Sequence, residues 1–523
     1  MSDTTPTAAT GLHHVTLITR RVQDNVDFYV GFLGLRLVKR SGGYEDGAQL
    51  HLFYGDRLGS PGSLVTFLVW EDGAPGRVGN GQVSEIALAV PATAIGEWMT
   101  RALRHGVPVE GPSREFGEPV LRLKDRDGII VKLVGVDMPS AAPWGDDAIA
   151  IRRLRAATIL TDTPEQTIEF VTRFGYLPER REGSVLRMRS GTDAVDIRDA
   201  TGYVPGIPGT GTADHVAFRA ADVEAVRKAE AELSRLNSSP TNFHDRNYFT
   251  SLYVREPGGT LFELATDGPG YTLDEDEERL GETLFVPPHD SDRAKALKVM
   301  LPQFAMPGEE RRPVRDLPFV HRFHTPEDPD GSILVLLHGT GGSEADLMPM
   351  AHAIAPRATL LGIRGRATEE SIARWFRRIT LASFDQADIR SEAEAFVAFL
   401  DGAVSGYGLD ASQMVFLGYS NGANFLAAVM GLHPGIVRSA ILVRAMPVLE
   451  TLPDADLSGA RVLMLSGKHD PFSDAAPALE TWLRVRGADL DARTVDAGHE
   501  LTPADTLLAR EWIDATMGST GSG

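Results

Sequence analysis

At 523 residues the chain is too long for one ordinary hydrophobic core, and about three structural units are expected. A formal net charge of −20 argues against nucleic acid and anionic membrane surfaces as partners. The absence of cysteine excludes disulfides, thiolate nucleophiles, zinc-thiolate sites and iron–sulfur clusters, so any metal must be held by His and carboxylate.

The opening "MSDTTPTAATG" has neither a basic nor an apolar segment of the kind a secretory signal needs. No run approaches about 18 consecutive apolar residues, so no membrane span is expected, and a cytoplasmic location is the default. "GLHHVTLITRR" then reads as a strand and "VQDNVDFYVGFLG" as a helix, followed by the β-rich runs "LRLVKRSGG", "QLHLFYGD" and "GSLVTFLVW". The same order of strand, helix and strands recurs three more times. The later openings are "VSEIALAVP" (83–91), "LRAATILTDT" (154–163) and "ADHVAFRAA" (213–221); the closing strands are "GIIVKLVG" (128–135), "AVDIRDA" (194–200) and "GTLFELATD" (259–267). Such a repeat predicts four stacked or paired modules, the first two over 11–140 and the last two over 150–285.

Residues 286–317 are rich in Pro and charge and read as a linker carrying one short helix. From 318 to 515, "SILVLLHGTGG", "MVFLGYSNG", "AILVRAM" and "RVLMLSG" are short apolar runs alternating with helix-like stretches. That alternation predicts an α/β domain around a mostly parallel, buried sheet. The fold class is therefore α+β followed by α/β. The closing "GSTGSG" reads as a flexible tail.

Repeats permit a comparison of equivalent positions. The four openings align His14, Glu85, Ala156 and His215; the closing strands align Thr66, Lys132 and Glu263, with module three open between Val195 and Asp196. Only modules one and four carry ligand-type residues, giving His14, His215 and Glu263. Two imidazoles and one carboxylate are what a mononuclear non-haem Fe(II) oxygenase needs, with positions left open for substrate and O2. His13 rivals His14, but "HHV" matches "DHV" and favours His14; His51 lines a pocket or does nothing. A four-ligand site with a further carboxylate would suit isomerase chemistry better than this set with Thr66 in fourth place.

The second half carries Gly418-Tyr419-Ser420-Asn421-Gly422 between an apolar strand and a helix-like run. G-x-S-x-G arises by chance in roughly one chain in three of this length, so its strand–turn–helix setting carries the argument. Asp470 and His499 follow at later strand ends, in the order Ser, Asp, His. His499 would serve as general base, with Asp470 holding its tautomer. "LLHGTGG" offers the backbone N–H of Thr340 as one oxyanion donor, and the N–H of Asn421 supplies the second. His469 and His338 read as loop residues, and His433 as a helix end.

The repeats resemble the paired βαβββ modules of the vicinal oxygen chelate superfamily, the glyoxalase and extradiol dioxygenase fold. Residues 242–263 also resemble the type I extradiol signature: Asn242, Phe243 and His244, then Leu252, Tyr253, Glu256, Pro257, Gly258, Gly259 and Glu263. The resemblance implies that Glu263 is a metal ligand and that His244 and Tyr253 are the acid/base histidine and tyrosine. Where those enzymes take a first histidine from module three, this chain has Ala156, and module one supplies it instead. Modules one and four are thus expected to form the metal cup, with two and three pairing as a structural half. In this the chain is similar to ring-cleaving dioxygenases of hydroquinones, over about residues 11–300.

Residues 318–515 resemble carboxylesterase/phospholipase-type α/β hydrolases, and "ARWFRRI" (373–379) looks like that group's loop beside the acyl pocket. The combined reading is a bifunctional enzyme. One half would use Fe(II), or Mn(II), and O2 to open a dihydroxylated aromatic ring. The other would cleave a small ester through Ser420, on one class of quinone-like compounds. A non-catalytic aromatic-binding module and a metal isomerase or lyase are the alternatives for the first half, and C–C bond hydrolysis is the alternative for the second. Homo-oligomer formation stays open.

Overall fold

The computed structural model describes residues 11–235, 241–312, 315–380 and 383–517. The chain divides into two compact units, one built from the residues up to 291 with 304–310, the other from 292–303 with those from 311 onward.

The first unit contains the four modules. Module one runs β1 (Leu12–Thr19), α1 (Val22–Val26) continued by a π-helical turn (Asp27–Phe32), β2 (Arg36–Gly42), β3 (Leu50–Gly55) and β4 (Leu64–Val69). Module two has β5 (Gln82–Val90), α2 (Ile95–Arg104), β6 (Val109–Glu115), β7 (Glu118–Lys124) and β8 (Ile130–Gly135). Module three has β9 (Arg153–Thr161), α3 (Pro164–Thr172), β10 (Leu177–Glu182), β11 (Val185–Arg189) and β12 (Ala194–Asp199). Module four has β13 (Ala213–Ala220), α4 (Val223–Leu233), β14 (Asn242–Asp245), β15 (Phe249–Arg255) and β16 (Leu261–Pro269), and the short β17 (Leu284–Phe285) follows.

Modules one and four share a nine-stranded sheet, ordered β14-β15-β16-β13-β1-β4-β3-β2-β17; modules two and three share an eight-stranded sheet, ordered β10-β11-β12-β9-β5-β8-β7-β6. In each, two opening strands pair antiparallel at the centre, and each closing strand lies parallel to its own opening strand. β1 is buried along its whole length. Its apolar Val15 and Leu17 alternate with His14 and Thr16, which face the concave side.

The central pairing is irregular at two points, which matters for the chemistry. β1 and β13 pass from Leu12↔Phe218 to His14↔Ala217, and from Thr16↔His215 to Leu17↔Ala213. His13 and Asp214 are therefore extra residues, each at a bulge immediately before a histidine. Bulges re-aim side chains that a regular strand would send to the opposite face.

The second unit begins with α5 (Ala294–Met300), whose Leu297 and Val299 are buried. Part of the stretch read as a linker thus packs with this unit. There follow β18 (His321–His324), β19 (Ile333–Leu337), α6 (Met348–Ile354), β20 (Thr359–Ile363), the hairpin β21 (Ala367–Glu369) and β22 (Ile372–Arg374), α7 (Gln386–Tyr407), β23 (Met414–Tyr419) and α8 (Asn421–Leu432). β24 (Ser439–Val443), β25 (Arg461–Gly467), α9 (Ala476–Val485), β26 (Asp489–Val495) and α10 (Pro503–Met517) complete it. The sheet order is β18-β20-β19-β23-β24-β25-β26, with β18 antiparallel and the remainder parallel. β19, β20 and β24 are buried at every residue, as strands covered on both faces must be. One core, with Val335, Phe416 and Phe425, covers one face, and another, with Leu336, Leu417 and Trp512, covers the other.

Candidate active sites

On the concave face of the nine-stranded sheet, three groups converge. His14 Nε2 lies 3.1 Å from His215 Nε2 and 3.0 Å from Glu263 Oε2, and His215 Nε2 lies 2.8 Å from Glu263 Oε2. All three residues are buried, and among the described residues they form the one cluster with metal-ligand geometry. The two bulges explain their orientation. His13 Nε2 donates to the Thr266 carbonyl at 3.2 Å, which leaves His13 Nδ1 to accept from His14 Nδ1 at 2.9 Å. His14 Nε2 then carries the lone pair. Asp214 Oδ2 accepts from His215 Nδ1 at 2.7 Å, which again turns Nε2 inward. The Ser251 hydroxyl donates to Glu263 Oε1, so Oε2 is the oxygen that faces the histidines.

Glu263 Oε2 is buried and faces only the two imidazoles. With the other side of each group already hydrogen-bonded, the two Nε2 atoms and Glu263 Oε2 lie about 3 Å apart and fit a shared cation: a proton on His215, or a metal ion in its place. Burial works to raise the Glu263 carboxyl, but His14 and His215 hold it well below its ordinary value. Burial lowers His14; His215 is pushed up to about 9, burial being outweighed by Glu263 and Asp214. Thr66 hydrogen-bonds Thr16 at 2.8 Å and His51 at 3.1 Å.

A cavity of about 580 Å3 opens over this cluster, with Tyr253, His244, Arg246, His51, Tyr248 and Phe249 among its walls. Tyr253 lies across from Glu263 on the neighbouring strand and from Asn242 on the other side. Burial and the Glu263 charge raise its pKa, so the phenol stays protonated. The His244 ring is 5.8 Å from that of Tyr253, and burial followed by the Arg246 charge lowers its pKa. The Arg246 guanidinium lies over the Tyr253 and Tyr44 rings, 3.3 Å from Glu45. Sequence comparison within the chain missed Asp214, Ser251 and Arg246. The residue preceding each histidine was the available signal for Asp214, whereas Ser251 and Arg246 left none.

The eight-stranded sheet has the same register with different contents. Glu85 stands where His14 stands, Ala156 where His215 stands, and Lys132 where Thr66 stands. Thr158↔Asp196 matches Ala217↔Glu263, so Asp196, not Val195, is the module-three equivalent. Here the cup is filled by protein charge. Lys132 Nζ lies 3.1 Å from Glu85 and 2.9 Å from Glu115, and Arg187 pairs with Asp196 at 2.7 Å.

In the second unit, Ser420 stands between β23 and α8 at φ 51° and ψ −114°, a strained backbone for a non-glycine residue. Its neighbouring glycines are there for close approach. A Cβ on Gly422 would lie 2.2 Å from the Leu337 carbonyl oxygen, and one on Gly418 would lie 2.8 Å from Ala423 backbone atoms. His499 Nε2 is 2.8 Å from Ser420 Oγ, and His499 Nδ1 is 2.9 Å from Asp470 Oδ2. Asn421 opens α8, where N–H groups lack intrahelical acceptors, and its side chain accepts from the Trp375 N–H at 2.8 Å. Thr340 is exposed in the turn after β19.

His338 is architectural: its Nε2 accepts from the Gly365 N–H, and its carbonyl accepts from the Trp375 indole. His469 is exposed and pairs with Asp496, and His433 caps the C-terminal end of α8. "ARWFRRI" completes the β21–β22 hairpin and then buries Trp375 against Phe425 and Phe319. Arg444, with φ 59°, left no sequence signal. Its buried guanidinium pairs with Asp505 at 2.8 Å and donates to the carbonyls of Gly498 and Glu500, bracketing His499.

Four βαβββ modules in two paired sheets, followed by a parallel α/β sheet with a serine at its strand–helix turn, define a fusion of a vicinal oxygen chelate half with an α/β-hydrolase half. A model of the glyoxalase/bleomycin resistance protein/dioxygenase superfamily matches residues 11–133. "Putative ring-cleaving dioxygenase MhqO" of Bacillus subtilis (strain 168) is 36% identical over 284 residues, covering 53% of this chain and 91% of that protein. "Chlorohydroquinone/hydroquinone 1,2-dioxygenase" of Sphingobium indicum is 33% identical over 302 residues, covering 54% and 93%. "Putative hydrolase MhqD" of Bacillus subtilis (strain 168) is 34% identical over 183 residues, covering 35% and 92%. The chain belongs to the glyoxalase/bleomycin resistance protein/dioxygenase superfamily, joined to an α/β hydrolase. No helix among the described residues is long and apolar enough to cross a membrane.

Proposed function

We propose that the first unit is a metal-dependent dioxygenase that opens a hydroquinone or catechol ring, and that the second is a serine esterase. The observation that carries the first reading is the convergence of His14, His215 and Glu263 beneath a cavity of about 580 Å3 that admits an aromatic ring with room for substituents. Fe(II), or Mn(II), held by these three residues would supply the redox chemistry by which O2 attacks a deprotonated dihydroxybenzene.

The chain's own residues would orient the ring and move protons. His244, kept neutral by burial and Arg246, can accept a proton from a ring hydroxyl. Tyr253 remains a phenol and can donate a hydrogen bond to a reacting oxygen. Phe249 and Tyr248 offer the ring apolar contact, and Arg246 favours an anionic form of it. The relation to the hydroquinone dioxygenase of Sphingobium indicum supports a para-dihydroxy substrate. Iron-loaded full chain is expected to consume O2 on addition of methylhydroquinone or catechol; no uptake with either would refute the reading.

In the second unit His499 would take the Ser420 proton as Oγ attacks the ester carbonyl, then return it to the departing alcohol. The Thr340 and Asn421 N–H groups would hold the oxyanion. Water then releases the acid from acyl-Ser420. Hydrolysis of p-nitrophenyl acetate is expected to fall by roughly 10³-fold or more in Ser420→Ala; unchanged hydrolysis would refute this assignment.

A further inference from the structure

The second cup encloses a cavity of about 300 Å3, at the lower end of the range for small-molecule sites. Its carboxylates are all engaged. Glu85 and Glu115 are held by Lys132 and Arg122, Asp196 by Arg187, and Glu182 by Arg180 and the Phe116 N–H. Its donors are not all engaged. Arg198 makes no ion pair among the described residues, and its Nε is buried without a hydrogen-bond partner. Thr158, 2% exposed, likewise has a buried hydroxyl without a partner. Both line the cavity, together with the apolar Phe116 and Val185.

The geometry points to a binding site for a small organic monoanion in this cup: a carboxylate that accepts from Arg198 Nε and Thr158 Oγ1, with its apolar body against Phe116 and Val185. A neutral ligand would leave the guanidinium unpaired, and a cation would meet carboxylates that already have partners. Buried donors without acceptors are costly, and a carboxylate answers both of these at once. The site is separate from the metal cup, because it stands on β9 and β12 of the other sheet.

Benzoate and acetate are the probes, with benzamide as the neutral counterpart, titrated calorimetrically into the full chain at fixed ionic strength. Benzoate is expected to bind wild type and His14→Ala alike, with benzamide weaker by about tenfold or more. Arg198→Gln should weaken benzoate by about tenfold or more and Thr158→Val by a smaller factor, whereas Arg198→Lys should retain part of the affinity. Thermal melting of each variant checks that it folds. Absence of saturable binding by both carboxylates would overturn the inference. So would benzoate affinity that is unchanged in Arg198→Gln, or affinity that disappears in His14→Ala.

Discussion

The two cups of the first unit are built on the same register of paired opening strands, yet one gathers lone pairs and the other gathers ion pairs. In the cup of modules one and four, His14, His215 and Glu263 meet with no Lys or Arg between them, and only the two imidazoles face Glu263 Oε2. In the cup of modules two and three, the Lys132 ammonium lies between Glu85 and Glu115, and Arg187 neutralises Asp196. The backbone repeat determines where side chains converge; their chemistry determines whether the charge balance is met from within or needs a cation from outside. Buried charges must be compensated in either case.

The largest difference between the cups should appear on removing the carboxylate. Glu263→Gln keeps the size and the Ser251 contact but should lower metal affinity by more than the ~10–100-fold typical of losing an outer partner, measured by metal titration of the full chain. Glu85→Gln should leave metal affinity unchanged. Next in size, Lys132→Met leaves Glu85 and Glu115 with Arg122 as their one remaining cation and should cost about 1–3 kcal/mol in urea unfolding, with no change in metal content. Ser251→Ala frees Glu263 Oε1 and should weaken metal binding by about 10–100-fold with little loss of stability.

The smallest effect is in the pH dependence of folding. Burial works to raise Glu85, but Lys132 and Arg122 hold it below its ordinary 4.5. Between the two values the unfolded chain binds more protons, so this group's contribution is present above pH 4.5 and is lost as pH falls through the folded value. Glu85→Gln should flatten that part of the acid limb, seen as a smaller drop in melting temperature below pH 4.5. An unchanged limb would mean that the second cup's ion pairs carry no net stabilisation.

Much of this contrast was legible in the sequence because module openings and closings repeat. Aligning them places His14, His215 and Glu263 in one set and Glu85, Ala156 and Lys132 in another, and the paired βαβββ fold follows from the same order. What stayed hidden depends on pairing between distant strands. The bulges that turn His13 and Asp214 toward their neighbouring histidines arise where β1 meets β13, about two hundred residues apart in sequence. The choice between Val195 and Asp196 needed the β9–β12 register. Ser251 and Arg246 reach the cup only because β14, β15 and β16 form its wall. In the second unit the Ser420, Asp470 and His499 positions follow from strand ends. Arg444 gains its place by bonding two carbonyls more than fifty residues away. The stretch 286–317 reads as linker by composition, yet Leu297 and Val299 are buried, because a seven-residue helix offers too short a pattern to reveal an apolar face.

The most direct test of the account is the iron content of the full chain after anaerobic Fe(II) loading and desalting, in wild type, His14→Ala and Glu85→Gln. About one iron per chain is expected in wild type and in Glu85→Gln, and none retained in His14→Ala. Iron retained in His14→Ala, or lost in Glu85→Gln, would place the metal outside the cup of modules one and four and contradict the account.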